Sequence, residues 1–229
     1  MAIDAVKSDI GWNGFSVLHT AAARVAGLDL GLVPGKGGRD VDAILEGAEK
    51  GEIDVVYLLG ADEIDTVRLG KSFVIYQGSH GDRGAHRADV ILPGATYTEK
   101  DATYVNTEGR PQMTARAVFP PGEAREDWKI IRALSGVLGQ ALPFNSVAEL
   151  RAKMLAVSPH LALLEQILPA DSAAIETLAA QGGKTGKERF GAAITDFYLT
   201  NPIARASAIM ASLSVMHAAK TPGATGTDG

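Results

Sequence analysis

The sequence predicts an α/β protein with a partial doubly wound, mostly parallel sheet, a hairpin excursion and a helical C-terminal tail. Short apolar runs rich in β-branched residues recur, each ended by glycine or proline, as is typical of strands buried on both faces. Helical periodicities alternate with these runs, and helix signals dominate from Pro121 onward. We therefore predict an α/β domain over 1–120, a helical extension over 121–220 and a disordered tail over 221–229.

The chain opens with a predicted helix rather than a strand. Apolar residues recur at helical spacing from Trp12 to Val25, and Gly27 follows as a stop signal. A glycine-rich loop at 34–38 then leads to a short helix over 41–48. Since a doubly wound domain usually begins with a strand, this order predicts that the chain is the C-terminal piece of something longer.

Three apolar runs predict the parallel strands, at 53–59, 73–76 and 89–92. Each run closes with glycine, glutamine–glycine or proline–glycine. We predict that seven residues of these runs lie in adjacent parallel strands and are nearly fully buried. They are Val55, Val56, Leu58, Val74, Ile75, Val90 and Ile91.

A different pattern follows over 101–119, where the turn-rich segment 107–111 separates two extended runs and predicts a β-hairpin or an extended excursion. The apolar residues from Met113 to Phe119, like Trp128, are spaced as core residues, and we interpret them as core rather than as cofactor contacts.

Helical signals then continue to residue 219. The predicted helices cover 128–138, 146–157, 171–181 and 202–219, the second of them opened by a capping box at Ser146 and Glu149. The last begins at the asparagine–proline pair 201–202. One stripe along this helix predicts the face by which it docks. The stripe is formed by Ile203, Ala206, Met210 and Leu213, and Arg205 does not lie on it.

Composition excludes several functional classes. The 229 residues carry a formal net charge of −5 with acids and bases interspersed, which argues against binding to nucleic acid or anionic lipid. The sequence contains no cysteine, which rules out disulfides, thiolate chemistry and any iron–sulfur cluster held wholly by this chain. No apolar run is long enough to cross a bilayer, and the first ten residues do not have the form of a secretory signal. These features predict a soluble, cytosol-facing protein.

Two glycine-rich segments resemble phosphate-binding loops but fail on inspection. The run 183–185 ends like a P-loop, yet the earlier glycine that the motif requires falls on Leu178. The run 35–38 begins like a dinucleotide fingerprint, yet its third glycine position is Asp40. Both are interpreted as surface loops.

A histidine–aspartate cluster follows the second strand. His80, Asp82 and His86 are suitable metal ligands by type, but Arg83 and Arg87 are interleaved with them and would repel a cation. We therefore predict no metal site in the chain. No serine–histidine pairing is defined in the acid- and base-rich stretch that follows, so no catalytic residue is predicted either.

The carboxyl ends of the first two predicted strands provide candidate ligand-binding residues, because open α/β sheets bind ligands at this edge. The candidates for cofactor binding are Gly60, Asp62, Gln77, Gly78 and His80.

Four motifs carry a resemblance to a known family. The runs 89–93 (DVILP) and 106–110 (NTEGR) resemble signatures that are shared among molybdenum- and tungsten-pterin enzymes. The runs 125–134 (REDWKIIRAL) and 196–198 (DFY) are narrower. Together they resemble the molybdopterin-oxidoreductase-type region of the large iron–sulfur subunit of the proton-pumping NADH–quinone oxidoreductase, complex I.

This resemblance implies a part in respiratory electron transport from NADH to quinone. In the family, iron–sulfur clusters are bound by N-terminal cysteines that this chain lacks, and this region carries no molybdenum cofactor. The resemblance thus implies a structural segment of the peripheral arm, with no redox centre and no cofactor of its own. The implied partners are the other peripheral-arm subunits. The implied location is peripheral, without direct membrane insertion, on the cytoplasmic side of the bacterial inner membrane or the matrix side of the mitochondrial one.

Two other hypotheses stay open. In the first, the sheet edge is a pterin- or nucleotide-binding site, vestigial or real, of a molybdopterin-type oxidoreductase. Alternatively, the chain is a free-standing binding module encoded by a short gene. Whether the native polypeptide extends upstream of Met1 would separate the scaffold from the free-standing module.

Overall fold

The three apolar runs form a parallel sheet in the order β1–β2–β3, which confirms the predicted α/β class. In the computed structural model, the strands are β1 (Val55–Leu59), β2 (Phe73–Gly78) and β3 (Val90–Pro93). The register pairs Val55 with Phe73 and Ile75 with Val90. The structure describes residues 17–19, 21–169, 171–182, 186–187, 191 and 194–220.

One face of this sheet forms the main hydrophobic core. It is made of buried side chains from β1 and β2, packed against the helix that precedes β1 and the 3₁₀ turn at Thr66–Leu69. Its members are Leu45, Val56, Leu58, Leu69, Val74 and Tyr76.

The prediction of nearly complete burial is wrong for part of the strand set. Val55 is 55% exposed and Val90 38% exposed, and the register places both on the face of the sheet opposite the core. Ile91, which pairs with Tyr76 on β3, one of the two edge strands, is 52% exposed. Ile75 is only partly buried. Continuous apolar sequence thus predicted the strands correctly but overestimated how well they are covered.

The helices before the sheet are α1 (Arg24–Asp29) and α2 (Val41–Glu49). Gly27 lies inside α1, so its predicted role as a stop signal is wrong. The helix ends instead before Gly31, whose φ of +74° provides the left-handed turn that terminates many helices. The helix predicted from Trp12 to Val25 is wrong for 17–19 and 21–23, which are described and not helical, while 12–16 lie outside the described residues.

The predicted hairpin forms from β4 (Ala102–Val105) and β5 (Pro111–Thr114). The Asn106 side chain accepts hydrogen bonds from the backbone N–H groups of Glu108 and Arg110, both at 3.0 Å, which fixes the turn. The predicted core role of the segment beyond the hairpin is wrong. Val118 and Phe119 are exposed, and the Phe119 ring is covered by the Arg116 guanidinium at 4.4 Å.

The remaining helices are α3 to α8, of which α3 precedes β3 in the chain and the others follow the hairpin. Their bounds are α3 (Arg83–Arg87), α4 (Asp127–Val137), α5 (Val147–Val157), α6 (Ser172–Ala180), α7 (Pro202–Arg205) and α8 (Ala208–Lys220). The capping box of α5 is present in modified form. Ser146 Oγ accepts from Glu149 N at 3.2 Å, while Glu149 reaches back to the N–H of Asn145 at 2.6 Å.

The predicted continuous helix over 202–219 is wrong, because the chain breaks between α7 and α8. Ser207 sits at the break, and its hydroxyl accepts a hydrogen bond from Met210 N at 3.3 Å as an N-cap of α8. Residues 221–229, predicted to be disordered, lie outside the described residues.

The chain divides into two compact units. The first comprises 1–31, 103–113 and 154–193; the second comprises 32–102, 114–153 and 194–229 and contains the parallel sheet with α7 and α8. The predicted domain boundary at residue 120 stays a prediction. Among the helices of the described residues, none is both long and apolar enough to cross a membrane.

Candidate functional site

The five candidate residues follow the carboxyl ends of β1 and β2, as expected from the parallel topology. Gly60 directly follows β1 with a φ of +60°, which a residue with a side chain adopts only with strain. Its N–H donates to the carbonyl of Gln77 at 2.7 Å. Gly60 therefore closes the β1–β2 pairing, and its N–H is already used within the sheet.

Asp62 lies in the loop after β1 and is fully buried. Its two carboxylate oxygens are both bound within the chain. Oδ1 accepts from Arg205 Nη2 at 2.6 Å, and Oδ2 accepts from the backbone N–H of Gly84 at 3.3 Å. A buried carboxylate with such partners is a structural ion pair in this conformation.

Arg205 also binds Asp82, which precedes α3. Its Nε donates to Asp82 Oδ2, and Glu63 Oε1 lies 4.0 Å from Arg205 Nη2. We call Asp62, Glu63, Asp82 and Arg205 the Arg205 cluster. Three carboxylates thus converge on one guanidinium that is only 15% exposed.

The cluster changes the pKa values of its members. Burial alone would raise the pKa of Asp82, but the hydrogen bonds from Arg205 and from the N–H of Arg83 outweigh it and hold that pKa below its ordinary value. Burial would lower the pKa of Arg205, yet the Asp82 hydrogen bond and the neighbouring carboxylates raise it above its ordinary value. Burial, followed by the charges of Asp62 and Asp82, raises the pKa of Tyr76. Asp82 and Arg205 are therefore charged at neutral pH, and the phenol is neutral.

Gln77 is buried in a second polar network. Its amide N–H donates to Asp127 Oδ1 at 2.9 Å and its amide oxygen accepts from the Tyr57 hydroxyl, while Lys100 binds the other Asp127 oxygen. Burial, and then the charge of Asp127, raises the pKa of Tyr57. The Gln77 side chain therefore joins the sheet to the start of α4.

Gly78 and His80 line a cavity of about 450 Å³ at the carboxyl ends of β2 and β3. Two carboxylates, Glu99 and Glu123, line it as well. Glu99 accepts from the N–H of Thr96 at 3.0 Å, as part of a capping box. The edge of the sheet thus does contain a concave site, but only two of the five candidates reach it.

The residues of this cavity do not fit the phosphates of a pterin dinucleotide. Such a group needs free backbone N–H donors or cations, whereas the lining carries two carboxylates. The N–H of Gly94 is used by the carbonyl of Gly78 at 2.9 Å, and position 93 is a proline without an N–H. The turn after β2 leads into α3, but this helix has only five residues, all polar or small, and it is capped by the Asp82 carboxylate.

The histidine–aspartate cluster does not converge as metal ligands. Asp82 binds Arg205, His86 is exposed on α3, and His80 Nδ1 lies 2.9 Å from the hydroxyl of Ser79. Within the part of the chain that the structure describes, no group of three or more histidine, aspartate or glutamate residues is arranged to hold a metal ion.

Sequence reasoning missed Arg205 as a site residue. It placed Arg205 off the docking stripe of the last helix and assigned it no partner. A signal was present: between 194 and 219, Asp196 and Arg205 are the only residues of the charged types aspartate, glutamate, lysine and arginine. A single arginine in such a charge-poor segment indicates a specific acidic partner.

Two family models match the chain. The model described as "Molybdopterin oxidoreductase" matches residues 1–137, and a model for the C-terminal region of an NADH-ubiquinone oxidoreductase subunit matches residues 164–213. These matches confirm the resemblance that the motifs indicated.

Curated relatives agree. The chain is 46% identical over 206 residues to the NADH-ubiquinone oxidoreductase 75 kDa subunit of Reclinomonas americana, covering 90% of this chain and 29% of that protein. It is 44% identical over 207 residues to the mitochondrial iron-sulfur protein 1 of NADH dehydrogenase (ubiquinone) of Solanum tuberosum, covering 90% of this chain and 26% of that protein. The chain therefore spans less than a third of the length of these relatives. Among solved structures, acetylene hydratase of Pelobacter acetylenicus aligns with 75% of this chain and 24% of its own, with 17% identity and a TM-score of 0.42.

Proposed function

The chain belongs to the molybdopterin oxidoreductase family, and on this premise we propose that it is a structural segment of the large iron–sulfur subunit of an NADH–quinone oxidoreductase. In this role it helps to build the peripheral arm and contacts other subunits of that arm, and it holds no redox centre itself. Its place is at the periphery of the membrane, on the cytoplasmic or matrix side.

One observation carries this proposal: polar groups at the sheet edge are used in contacts within the chain. Asp62 binds Arg205 and Gly84, and Gln77 binds Tyr57 and Asp127. In a ligand-binding α/β domain, polar groups at this edge would point at the ligand. The relatives, which are named as subunits of NADH–ubiquinone oxidoreductase, support the assignment of the complex.

A scaffold and a catalytic segment differ in what a substitution changes. We expect a core substitution such as Val56→Asp, introduced into the full-length subunit, to lower the amount of assembled complex. NADH–quinone turnover per assembled complex should stay unchanged. Native gel electrophoresis measures the first quantity, and activity normalised to assembled complex measures the second.

The matched control is His80→Ala, which alters the lining of the cavity without touching the core. Under the scaffold proposal, this variant changes neither assembly nor turnover. Loss of turnover per complex in His80→Ala would contradict the scaffold role.

A second candidate function is pterin or nucleotide binding at the same edge, and the cavity beside Gly78 and His80 is the observation that favours it. The two functions are distinguished by titrating the purified chain with GMP and with inorganic pyrophosphate in a calorimeter. The scaffold proposal expects no saturable heat. Saturable binding that His80→Ala weakens would support the nucleotide site instead.

A further inference from the structure

The Arg205 cluster lies where a parallel α/β sheet would bind a ligand. Asp62 is three residues beyond the end of β1, and Asp82 is four residues beyond the end of β2. In open sheets, ligands bind outside the carboxyl ends of the strands. Here that edge holds the side chain of a residue that is 143 positions away from Asp62 in the sequence.

We infer that the loops after β1 and β2 form a guanidinium-binding site whose ligand is the chain's own Arg205, and that α7 is the strap that this contact holds on the sheet. This inference goes beyond the scaffold role and does not depend on which complex the chain joins.

The charges around this site select a cation. Three carboxylates, those of Asp62, Glu63 and Asp82, each have an oxygen within 4.0 Å of a guanidinium nitrogen of Arg205. Arg83 follows Asp82 and contributes a second positive charge from α3. An anionic ligand such as a phosphate would be repelled here, because the carboxylates outnumber the cations.

The geometry further selects a guanidinium over an ammonium. The Nη2 group of Arg205 binds Asp62 while its Nε binds Asp82, so one planar fork bridges two carboxylates on different loops. A lysine is a point charge on a flexible stem and does not reproduce this bridge. The backbone N–H of Gly84 completes the shell of Asp62.

The strap itself depends on this contact. The helix α7 has only four residues and is too short to be stable alone. Asn201 caps it by accepting from Ala204 N at 2.9 Å, and the other charged residue of the segment, Asp196, is used locally by Tyr198 N and Ser214. Arg205 is therefore the ionic anchor of α7 on the sheet.

Chemical rescue tests the inference on the full chain. Arg205→Ala leaves Asp62 buried without its cation, and we expect the melting temperature to fall by roughly 10 °C. Ethylguanidinium should restore part of this loss with saturation, because it supplies the missing group. It should give no such recovery in the control Arg68→Ala, which removes a guanidinium from a surface pair with Glu49. Equal effects of ethylguanidinium on both variants would overturn the guanidinium site.

Hydrogen exchange tests the strap. Arg205→Ala should accelerate exchange at the hydrogen-bonded amides of 204–206 and at the amide of Gly84 together, and should leave α4 unchanged. If Arg205→Ala does not fold, Arg205→Lys serves instead, with a smaller acceleration at the same amides because lysine keeps the charge but not the bridge. Unchanged protection of α7 in the variant that folds would overturn the strap, since packing alone would then hold it.

Discussion

At the scale of single residues, Gly84 sets how closely α3 approaches the sheet. A Cβ at this position would lie 2.5 Å from Cδ2 of the buried Tyr76 ring and 3.0 Å from Cβ of Asp62. We therefore expect Gly84→Ala to lower the free energy of unfolding by about 1–3 kcal/mol through overpacking. Urea denaturation measures this. Gly81→Ala is the matched control, because no atom lies within 4 Å of a Cβ built there. Equal stability of the two variants would contradict the close approach.

The lowered pKa of Asp82 predicts how the stability of the protein depends on pH. Its folded-state pKa lies below the ordinary value, so the contribution of the Asp82 carboxylate to stability is fully present above about pH 5. It is lost as the pH falls below about 4 towards the folded-state pKa. The stability difference between the parent and Asp82→Asn should therefore shrink on acidification, by at most about 1.4 kcal/mol per pH unit.

The measurement is urea denaturation at a series of pH values. Glu123→Gln serves as the control, because it removes an exposed carboxylate that pairs with Arg125 at the surface. A parent-minus-Asp82→Asn difference that stays constant down to about pH 3 would argue against a lowered pKa at Asp82.

At the scale of elements, the register of β1 gives a paired test of the sheet. Val56 is buried in the core face, whereas its neighbour Val55 lies on the exposed face. Val56→Asp should cost about 3 kcal/mol or more, because it buries an unpaired carboxylate. Val55→Asp should cost far less, because water reaches that position. Equal losses of unfolding free energy in the two variants, measured by urea denaturation, would mean that the two faces are assigned wrongly.

The break between α7 and α8 predicts a capping effect. Ser207→Ala removes the acceptor for Met210 N and should destabilise α8 by about 1 kcal/mol. Ser207→Asp should restore the loss, because aspartate is an equally good N-cap. The control is Ser212→Ala inside α8, where the exposed hydroxyl bonds to the carbonyl of Ile209. Helicity followed by circular dichroism during thermal unfolding provides the measurement.

Local sequence predicted the elements whose causes are local. The strands follow from continuous β-branched runs, the hairpin from the turn residues around Asn106, and α5 from Ser146 and Glu149. Features that depend on distant partners were not predictable. Burial of Val55 and Val90 depends on what covers the opposite face, and the bridge from Arg205 to Asp62 joins residues far apart in the chain. The candidate residues do lie at the carboxyl ends of β1 and β2, but Asp62 and Gln77 are bound within the chain, and a ligand at this edge stays a prediction.

At the scale of the whole molecule, the position of the acidic groups connects fold and function. Open α/β sheets bind ligands at the carboxyl edge, and in this chain the Arg205 guanidinium occupies one part of that edge while acidic residues line another. Both arrangements disfavour phosphate-bearing cofactors for the same electrostatic reason. A domain of this family can therefore keep its sheet while its edge serves to hold chain segments together.

We expect the entire chain to hold no redox centre. Iron–sulfur clusters in proteins are held chiefly by cysteine thiolates, and the sequence contains none. Of the residues that remain, His80 and Asp82 engage Ser79 and Arg205. The purified chain should therefore be colourless, contain no stoichiometric iron or molybdenum by elemental analysis, and show no NADH oxidation.

The most stringent test uses a sample that has been incubated with iron and sulfide and then desalted. This sample should retain neither iron nor sulfide. One equivalent of iron or molybdenum per chain would overturn the scaffold role and make the sheet edge the leading site, because the histidines and carboxylates near His80 are the ligand types that could then hold the metal.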